Sequence, residues 1–291
     1  MIMSRHFAPR AFIWSELTRV ELAAKRDAGA LVIVPTGSIE QHADHLPVNT
    51  DSFLAAAVSQ LAAARMTAAE VVVAPVVTAG FSPHHQSFAG TITVRLETFL
   101  ALLGDTARSI LASGFPRVLF VNGHGGNSAP LRALCGQLAT DGVAAGMVDY
   151  IAPGEKDWLK TIRGGLMRQG HACEQETALM MTLSPADERH RIVAAARDLP
   201  ARLIQPWIPP GLDEDPLTVF GGGWPPIFQA DDCGYYGDPG VATPETGEAA
   251  LEAIVAALAA FFDAFARTPL RLGTARDPGA PSISPALPPR R

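Results

Sequence analysis

An α/β fold built on a parallel sheet is predicted by three observations. Short apolar runs rich in valine, leucine and isoleucine alternate with longer Ala/Leu-rich amphipathic runs. The short runs are continuously apolar, as expected of strands buried on both faces. Clusters of His, Asp and Glu follow directly on two of these runs, at the carboxyl ends of strands, where open α/β sheets collect their ligands. The predicted strands are 30–34, 71–75, 118–121 and 146–151, joined by right-handed crossovers. The predicted helices are 52–65, 97–113, 129–140, 174–183 and 245–266. Asp51 stands where it would cap the first of these, and Glu174 is a helix-start charge for the fourth. No internal repeat is found.

Composition narrows the function classes. With 48% hydrophobic and 18% charged residues over 291 positions, the chain has the profile of a soluble globular protein. No Pro/Ser/Gly-rich linker interrupts its first two-thirds, so one domain is expected over 1–267. Residues 268–291, rich in Pro, Gly and Arg, are expected to form a poorly ordered tail. The net charge is −6 and no Lys/Arg stripe occurs, which argues against nucleic-acid binding. No apolar run is expected to reach the length of a membrane span, and no apolar stretch follows Arg5 and Arg10 as in a secretory signal. The widely spaced Cys135, Cys173 and Cys233 fit a reduced, cytoplasmic chain and no thiolate zinc site.

Six of the eight histidines fall in four polar segments. The first, running from Thr36 to Asp51, holds Glu40, His42, His45 and Asp51. The second holds His84 and His85, and the third is Asn122-Gly123-His124-Gly125-Gly126-Asn127. The fourth holds His171, Cys173, Glu174 and Glu176. Imidazole nitrogen and carboxylate oxygen together suit zinc, manganese or iron. Glu40 and His42 are two apart and project to one side of an extended segment. A carboxylate that reaches two ions can bridge them, and such a pair activates water and polarises a carbonyl. Glycines around His124 allow close backbone approach to a ligand. Taken singly, each residue has a structural explanation. Glu40 and Asp51 could cap or face solvent, His45 and His84 could support others, Trp158 and Trp224 could simply pack, and Cys173 could fill space. Chance does not readily place four such clusters in loops. No G-x-S-x-G elbow or H-E-x-x-H motif is present, and the glycine loop lacks the third glycine of a dinucleotide fingerprint.

These segments resemble the creatininase (creatinine amidohydrolase) family. The match is carried by Gly37-Ser38-Ile39-Glu40-Gln41-His42, His45-Leu46-Pro47 with Asp51, and His85 and Phe88 with Gly90-Thr91-Ile92. It continues through the segment around His124, through His171 with Glu176-Thr177, and late in the chain through Gly234-Tyr235-Tyr236-Gly237-Asp238-Pro239 and Glu245-Thr246-Gly247. The resemblance implies a three-layer α/β/α subunit with a mostly parallel sheet, assembled as a homohexamer. It implies two divalent metals per subunit, zinc with zinc, manganese or iron. By position, Glu40 and His124 would hold one ion, His42 the other, and Asp51 would bridge. Creatininase proper has a further glutamate where this chain has Gly126. The Gly-Gly form nominates Glu176 instead, as the fifth ligand or as a catalytic carboxylate. His171, five residues before Glu176, falls at the family's proton-shuttling histidine. Gly125, Gly126, Asn127, His85 and Trp158 fall at the substrate pocket.

The activity implied is hydrolysis of a small amide, cyclic and creatinine-like. The family also includes a formamide deformylase and a peptidase acting on the mycofactocin precursor. Gly125 after His124 and Met167 before His171 depart from the creatininase pocket. Aromatics of the 205–232 region, Trp207, Phe220, Trp224 and Phe228, are expected to tune selectivity or to pack between subunits. A non-catalytic metal- or ligand-binding protein and a nucleotide-dependent enzyme are the competing classes. Retention of His171 argues against the first, and only the glycine loop favours the second.

Overall fold

The computed structural model describes residues 12–164, 170–200 and 233–269. The expected aromatics of 205–232, Met167 and most of the expected tail lie outside the described residues. Four parallel strands, β1 (Leu31–Thr36), β2 (Val71–Val73), β3 (Arg117–Asn122) and β4 (Ala145–Asp149), form one sheet in the order β2-β1-β3-β4. The helices are α1 (Arg19–Asp27), α2 (Thr50–Ala63), α3 (Leu96–Ala112), α4 (Gly125–Thr140), α5 (Glu155–Trp158), α6 (Glu174–Leu183), α7 (Ala186–Arg197) and α8 (Pro244–Arg267).

Alternation along the strands generates three layers. Leu31 and Ile33 of β1, with Leu119 and Val121 of β3, join a core completed by α2, α6 and α8 through Leu54, Leu179, Ile254 and Phe262. Val32 and Val34, with Val118 and Phe120, point the other way into a core with Phe99 and Leu103 of α3 and Leu131 of α4. All six residues of β1 are buried. A fully buried Val, Leu, Ile or Phe contributes about 1.5–3 kcal/mol. The central strands are therefore firmly anchored, and they fix where the loops at their carboxyl ends begin.

Where the structure departs from the sequence expectation, a local cause is visible. The Ser/Thr-x-x-Glu capping box of Thr18 and Glu21 starts α1, a helix too short and polar to be recognised by its apolar face. Likewise α7 buries only Ile192 and Ala196. α2 begins two residues earlier than expected. Asp51 therefore lies inside its first turn and does not cap it, since Asn49 occupies that position. α4 begins at Gly125, so the glycine loop is the first helical turn and Pro130 lies within the helix. Finally, α8 has 24 residues and contains an 18-residue stretch of mean hydropathy 1.9, so by length and composition it could cross a membrane, contrary to expectation. Its face carrying Ile254, Val255, Leu258 and Phe262 is spent on the core.

α8 meets α6 at Gly247, where a Cβ would be driven into the Ala178 carbonyl and the Thr182 hydroxyl. Alanine within a helix ordinarily gains up to about 1 kcal/mol over glycine. Gly247→Ala is expected to reverse that sign and cost about 1–3 kcal/mol through overpacking. Gly136→Ala in α4, whose added Cβ meets nothing within 4 Å, is expected to be neutral or stabilising. Urea denaturation of the two variants checks the contrast.

Candidate metal centre

Five elements deliver side chains to one edge of the sheet. The loop after β1 carries Glu40, Gln41, His42 and His45, and the first turn of α2 carries Asp51. The turn at Pro83–His85, after β2, carries His84 and His85. His124 follows β3 directly and stands at the N-cap of α4. His171 precedes α6, and Glu176 lies in its first turn. Glu40, His42, Asp51, His85, His124, His171 and Glu176 are all buried. They surround a cavity of about 140 Å³ lined by Glu40, Asp51, His85, His124, His171 and Glu176, with His84, Gly125, Gly126 and Gly170. The non-glycine residues with positive φ, Ala43 (51°) and Ala172 (50°), immediately follow His42 and His171. Such left-handed strain, held by its surroundings, is concentrated at sites that must fix a side chain.

The hydrogen bonds orient the rings. His124 Nε2 lies 3.1 Å from the Phe81 carbonyl, which can only accept, so its proton faces away from the acids. Nδ1 then turns toward Glu40 Oε2 at 3.1 Å and Asp51 Oδ2 at 3.0 Å. His42 Nδ1 donates to the Glu40 backbone carbonyl at 3.1 Å, leaving Nε2 3.1 Å from Asp51 Oδ1. Both carboxylate oxygens of Glu40 and Oδ2 of Asp51 are buried and accept no hydrogen bond from the described residues. Ring lone pairs that face orphaned carboxylate oxygens need a cation or an extra proton between them. Two triads satisfy a metal's reach, Glu40–Asp51–His124 and His42–Asp51–Glu176, with ligand atoms within 4.8 Å of one another and Asp51 common to both. A third, Glu40–His42–His171, overlaps them. The donor set fits one or two divalent ions of the zinc, manganese or iron type.

The electrostatics of these side chains follow from the same close packing of acids and imidazoles. Burial alone would raise Asp51, yet the facing His42 and His124 rings overcome it and hold its carboxyl well below the usual range. Burial would depress His42, but Asp51 lifts it to about 9. His124 is likewise raised against burial, by Glu40 and Asp51. Burial pushes Glu176 up to about 7, partly offset by His42 and reinforced by Asp51 and Glu40. Burial also keeps Glu40 raised, against the pull of His124. Side chains so poised favour positive charge among these carboxylates, and because metal ligands must be deprotonated, an ion bound here would release protons.

Packing around the cluster explains several fixed residues. Asn127 Oδ1 accepts from Phe81 N at 2.9 Å while its Nδ2 donates to the Gly37 carbonyl at 3.0 Å, clamping two site loops together. A Cβ on Gly126 would strike His124 Nε2, the Phe81 carbonyl and His84, so no glutamate fits there. Glu176 approaches His42 and Asp51 from α6 instead. His45 Nε2 meets the Thr177 hydroxyl at 2.8 Å, pinning the turn that carries Glu176. Glu174 accepts from Arg163 N and Gly164 N at 2.9 and 2.8 Å and is a loop tie.

The sequence-predicted residues divide accordingly. Glu40, His42, Asp51, His124, His171 and Glu176 converge, and His85, Gly125 and Gly126 join them at the cavity. Asn127 and Trp158, expected beside a substrate, do not line the cavity. Asn127 is the clamp just described, and Trp158 is 2% exposed in the core, its indole donating to the Ile151 carbonyl at 2.9 Å. Gln41 and Gly170 went unassigned by sequence reasoning. Gln41 lies between Glu40 and His42 in sequence, and its amide reaches His85 Nδ1 and the Ala43 N–H. Gly170 underlies the Tyr236 ring, where a Cβ would collide.

The parallel three-layer fold gathers imidazoles and carboxylates at its strand ends, as α/β proteins that bind ligands at that edge do. The family model for creatininase (creatinine amidohydrolase) matches residues 15–262, and the chain belongs to this family. A mycofactocin precursor peptide peptidase of Mycobacterium tuberculosis is 32% identical over 231 residues, covering 77% of this chain and 81% of its own. Creatinine amidohydrolase of Pseudomonas putida is 33% identical over 119 residues, covering 39% of this chain and 45% of its own. A crystal structure of creatinine amidohydrolase superposes with a TM-score of 0.68 at 24% identity, over 89% of this chain and 98% of that one. Solved creatininases of this fold include a manganese form, at TM-score 0.66, 23% identity and 86% and 96% coverage, and a Zn–Zn type.

Asn127→Leu strands the Phe81 N–H and the Gly37 carbonyl in a buried setting. It is expected to cost about 1–3 kcal/mol for each group left unpaired, read as a lowered denaturation midpoint with unchanged slope.

Proposed function

We propose that this chain is a metal-dependent hydrolase of amide C–N bonds, with Glu40, His124 and Asp51 holding one ion and His42, Glu176 and Asp51 the other. The supporting observation is the pair of triads sharing Asp51, with its orphaned carboxylate oxygens facing ring lone pairs. Such ions, when bound, lower the pKa of water and polarise a carbonyl. The remaining work belongs to side chains. His171 lines the cavity with its Nε2 proton committed to the Gln41 carbonyl at 2.7 Å, so Nδ1 faces inward, 3.5 Å from Glu40 Oε1. Burial and the neighbouring His42 hold the ring neutral, so Nδ1 is able to accept a proton and pass it to the leaving nitrogen. The open space at Gly125, where an added Cβ would meet nothing within 4 Å, admits the acyl side of the substrate.

A peptide amide is the favoured substrate. The relatives that match over most of both chains are named as peptidases. Trp158 contributes no platform for a planar ring, and the residue after His124 is Gly125. A small cyclic amide is the second reading, favoured by the compact cavity of about 140 Å³. Homohexamer assembly and a cytoplasmic setting complete the proposal, the former resting on the family resemblance and the latter on the odd number and wide spacing of Cys135, Cys173 and Cys233.

Chelation followed by dialysis is expected to abolish hydrolysis, and zinc or manganese to restore it, on a panel of short peptides, formamides, cyclic imides and creatinine. Turnover that survives metal removal contradicts the proposal. His171→Asn is expected to retain metal while kcat falls by about 10²–10⁴-fold. An unaltered kcat removes His171 from proton transfer.

A further inference from the structure

Gln41 sits between two proposed ligands and is 5% exposed, yet its side chain points to neither Asp51 nor the Glu40 carboxylate. Its amide is oriented without ambiguity. Oε1 accepts from the backbone N–H of Ala43 at 2.8 Å, and a backbone nitrogen can only donate. Nε2 must therefore face the other way, 2.9 Å from His85 Nδ1. An amide NH2 can only donate, so His85 Nδ1 is the acceptor and its ring proton resides on Nε2. That nitrogen stands 3.3 Å from Glu40 Oε1 on the cavity wall.

The backbone of the same residue imposes the opposite arrangement on His171. The Gln41 carbonyl accepts from His171 Nε2 at 2.7 Å, so the His171 proton is turned outward and Nδ1 inward. At 3.1 Å, Gln41 Nε2 and His171 Nε2 are two donors in contact and form no bond. The two rings lie with centroids 4.2 Å apart, both against the cavity. The late segment braces this arrangement. Gly234, at φ 69°, leaves room for the Gln41 amide oxygen, which a Cβ there would strike. Tyr236 pairs with His171 by a two-way backbone bridge, its N donating to the His171 carbonyl at 2.7 Å.

We propose that Gln41 is a positioning residue that divides the proton roles of the cavity, its carbonyl presenting His171 as an acceptor through Nδ1 and its side-chain amide presenting His85 as a donor through Nε2–H. Two adjacent imidazoles that could exchange roles are thereby made unlike. His171 turns a ring lone pair toward the cavity, whereas His85 turns an N–H toward it. This assignment rests on the hydrolase reading for its kinetic consequence but not for its spectroscopic one.

Histidine tautomers are read directly by two-bond ¹H–¹⁵N correlation spectra of zinc-loaded, ¹⁵N-histidine-labelled protein. Both His85 and His171 are expected as the Nε2–H form in the wild type. Gln41→Glu replaces the donor by an acceptor in the same shape, so His85 is expected to switch to Nδ1–H. Zinc content should remain unchanged, and kcat should fall about 10–100-fold while KM moves less than about threefold, as for lost proton-transfer geometry. Gln41→Met removes both polar atoms and should give mixed His85 tautomers, which keeps the test open if the glutamate variant does not fold. Wild-type His85 in the Nδ1–H form, or either variant retaining both the wild-type tautomer and kcat, overturns the assignment. A wild type that hydrolyses no amide but shows these tautomers sinks the hydrolase reading and leaves Gln41's role intact. Hydrolysis with the wrong tautomers does the reverse.

Discussion

Asp51 is the constraint on which the rest of the site depends. A carboxylate buried in the first turn of a helix, with one oxygen against His42 and the other against His124, joins the loop after β1 to the loop after β3. The position at the helix N-terminus favours negative charge. The two neighbouring strands hold their loops in register over six residue pairs. Uncompensated burial of Glu40, Asp51 and Glu176 together would be costly. The arrangement is therefore suited to receive positive charge, which metal would supply in the proposed enzyme.

Around that core the fold acts as a set of clamps rather than a lining. Asn127 ties the β1 loop to the segment at Phe81, His45 ties it to α6, and Glu174 ties α6 to the segment at Gly164. Each clamp uses a buried polar side chain to fix backbone that no strand or helix fixes. Such supports keep ligand atoms within tenths of an ångström of their working positions. The positive-φ backbones of Ala43 and Ala172 lie directly after His42 and His171, where strain is held by the surrounding structure.

The layered fold was legible because the strands are buried on both faces, which makes them continuous apolar runs with little ambiguity. Most element boundaries fell within a few residues of expectation, and α6 matched at both ends. The converging residues were legible for a different reason. His and acid types clustered in loops next to strand ends have few structural uses in common, so their joint presence pointed to one edge of the sheet. What stayed hidden depended on tertiary contact. Trp158 is indistinguishable in sequence from a pocket aromatic, and only the core shows where it goes. Asn127 and Gln41 sit inside the site motifs, yet both spend their amides on backbone or ring nitrogens rather than on the cavity. Gly126 was expected to let the backbone approach a ligand closely, and the His124 ring and the Phe81 carbonyl, out of reach of the sequence, occupy the space of its missing Cβ. Two short polar helices, α1 and α7, carried too little apolar surface to announce themselves.

Anomalous diffraction at the zinc edge, from crystals of the zinc-loaded protein, tests the central claim most directly. The account predicts two peaks per chain, both within coordination distance of Asp51, one shared with Glu40 and His124 and the other with His42 and Glu176. A single peak away from Asp51, or no ordered ion at this edge of the sheet, would contradict it.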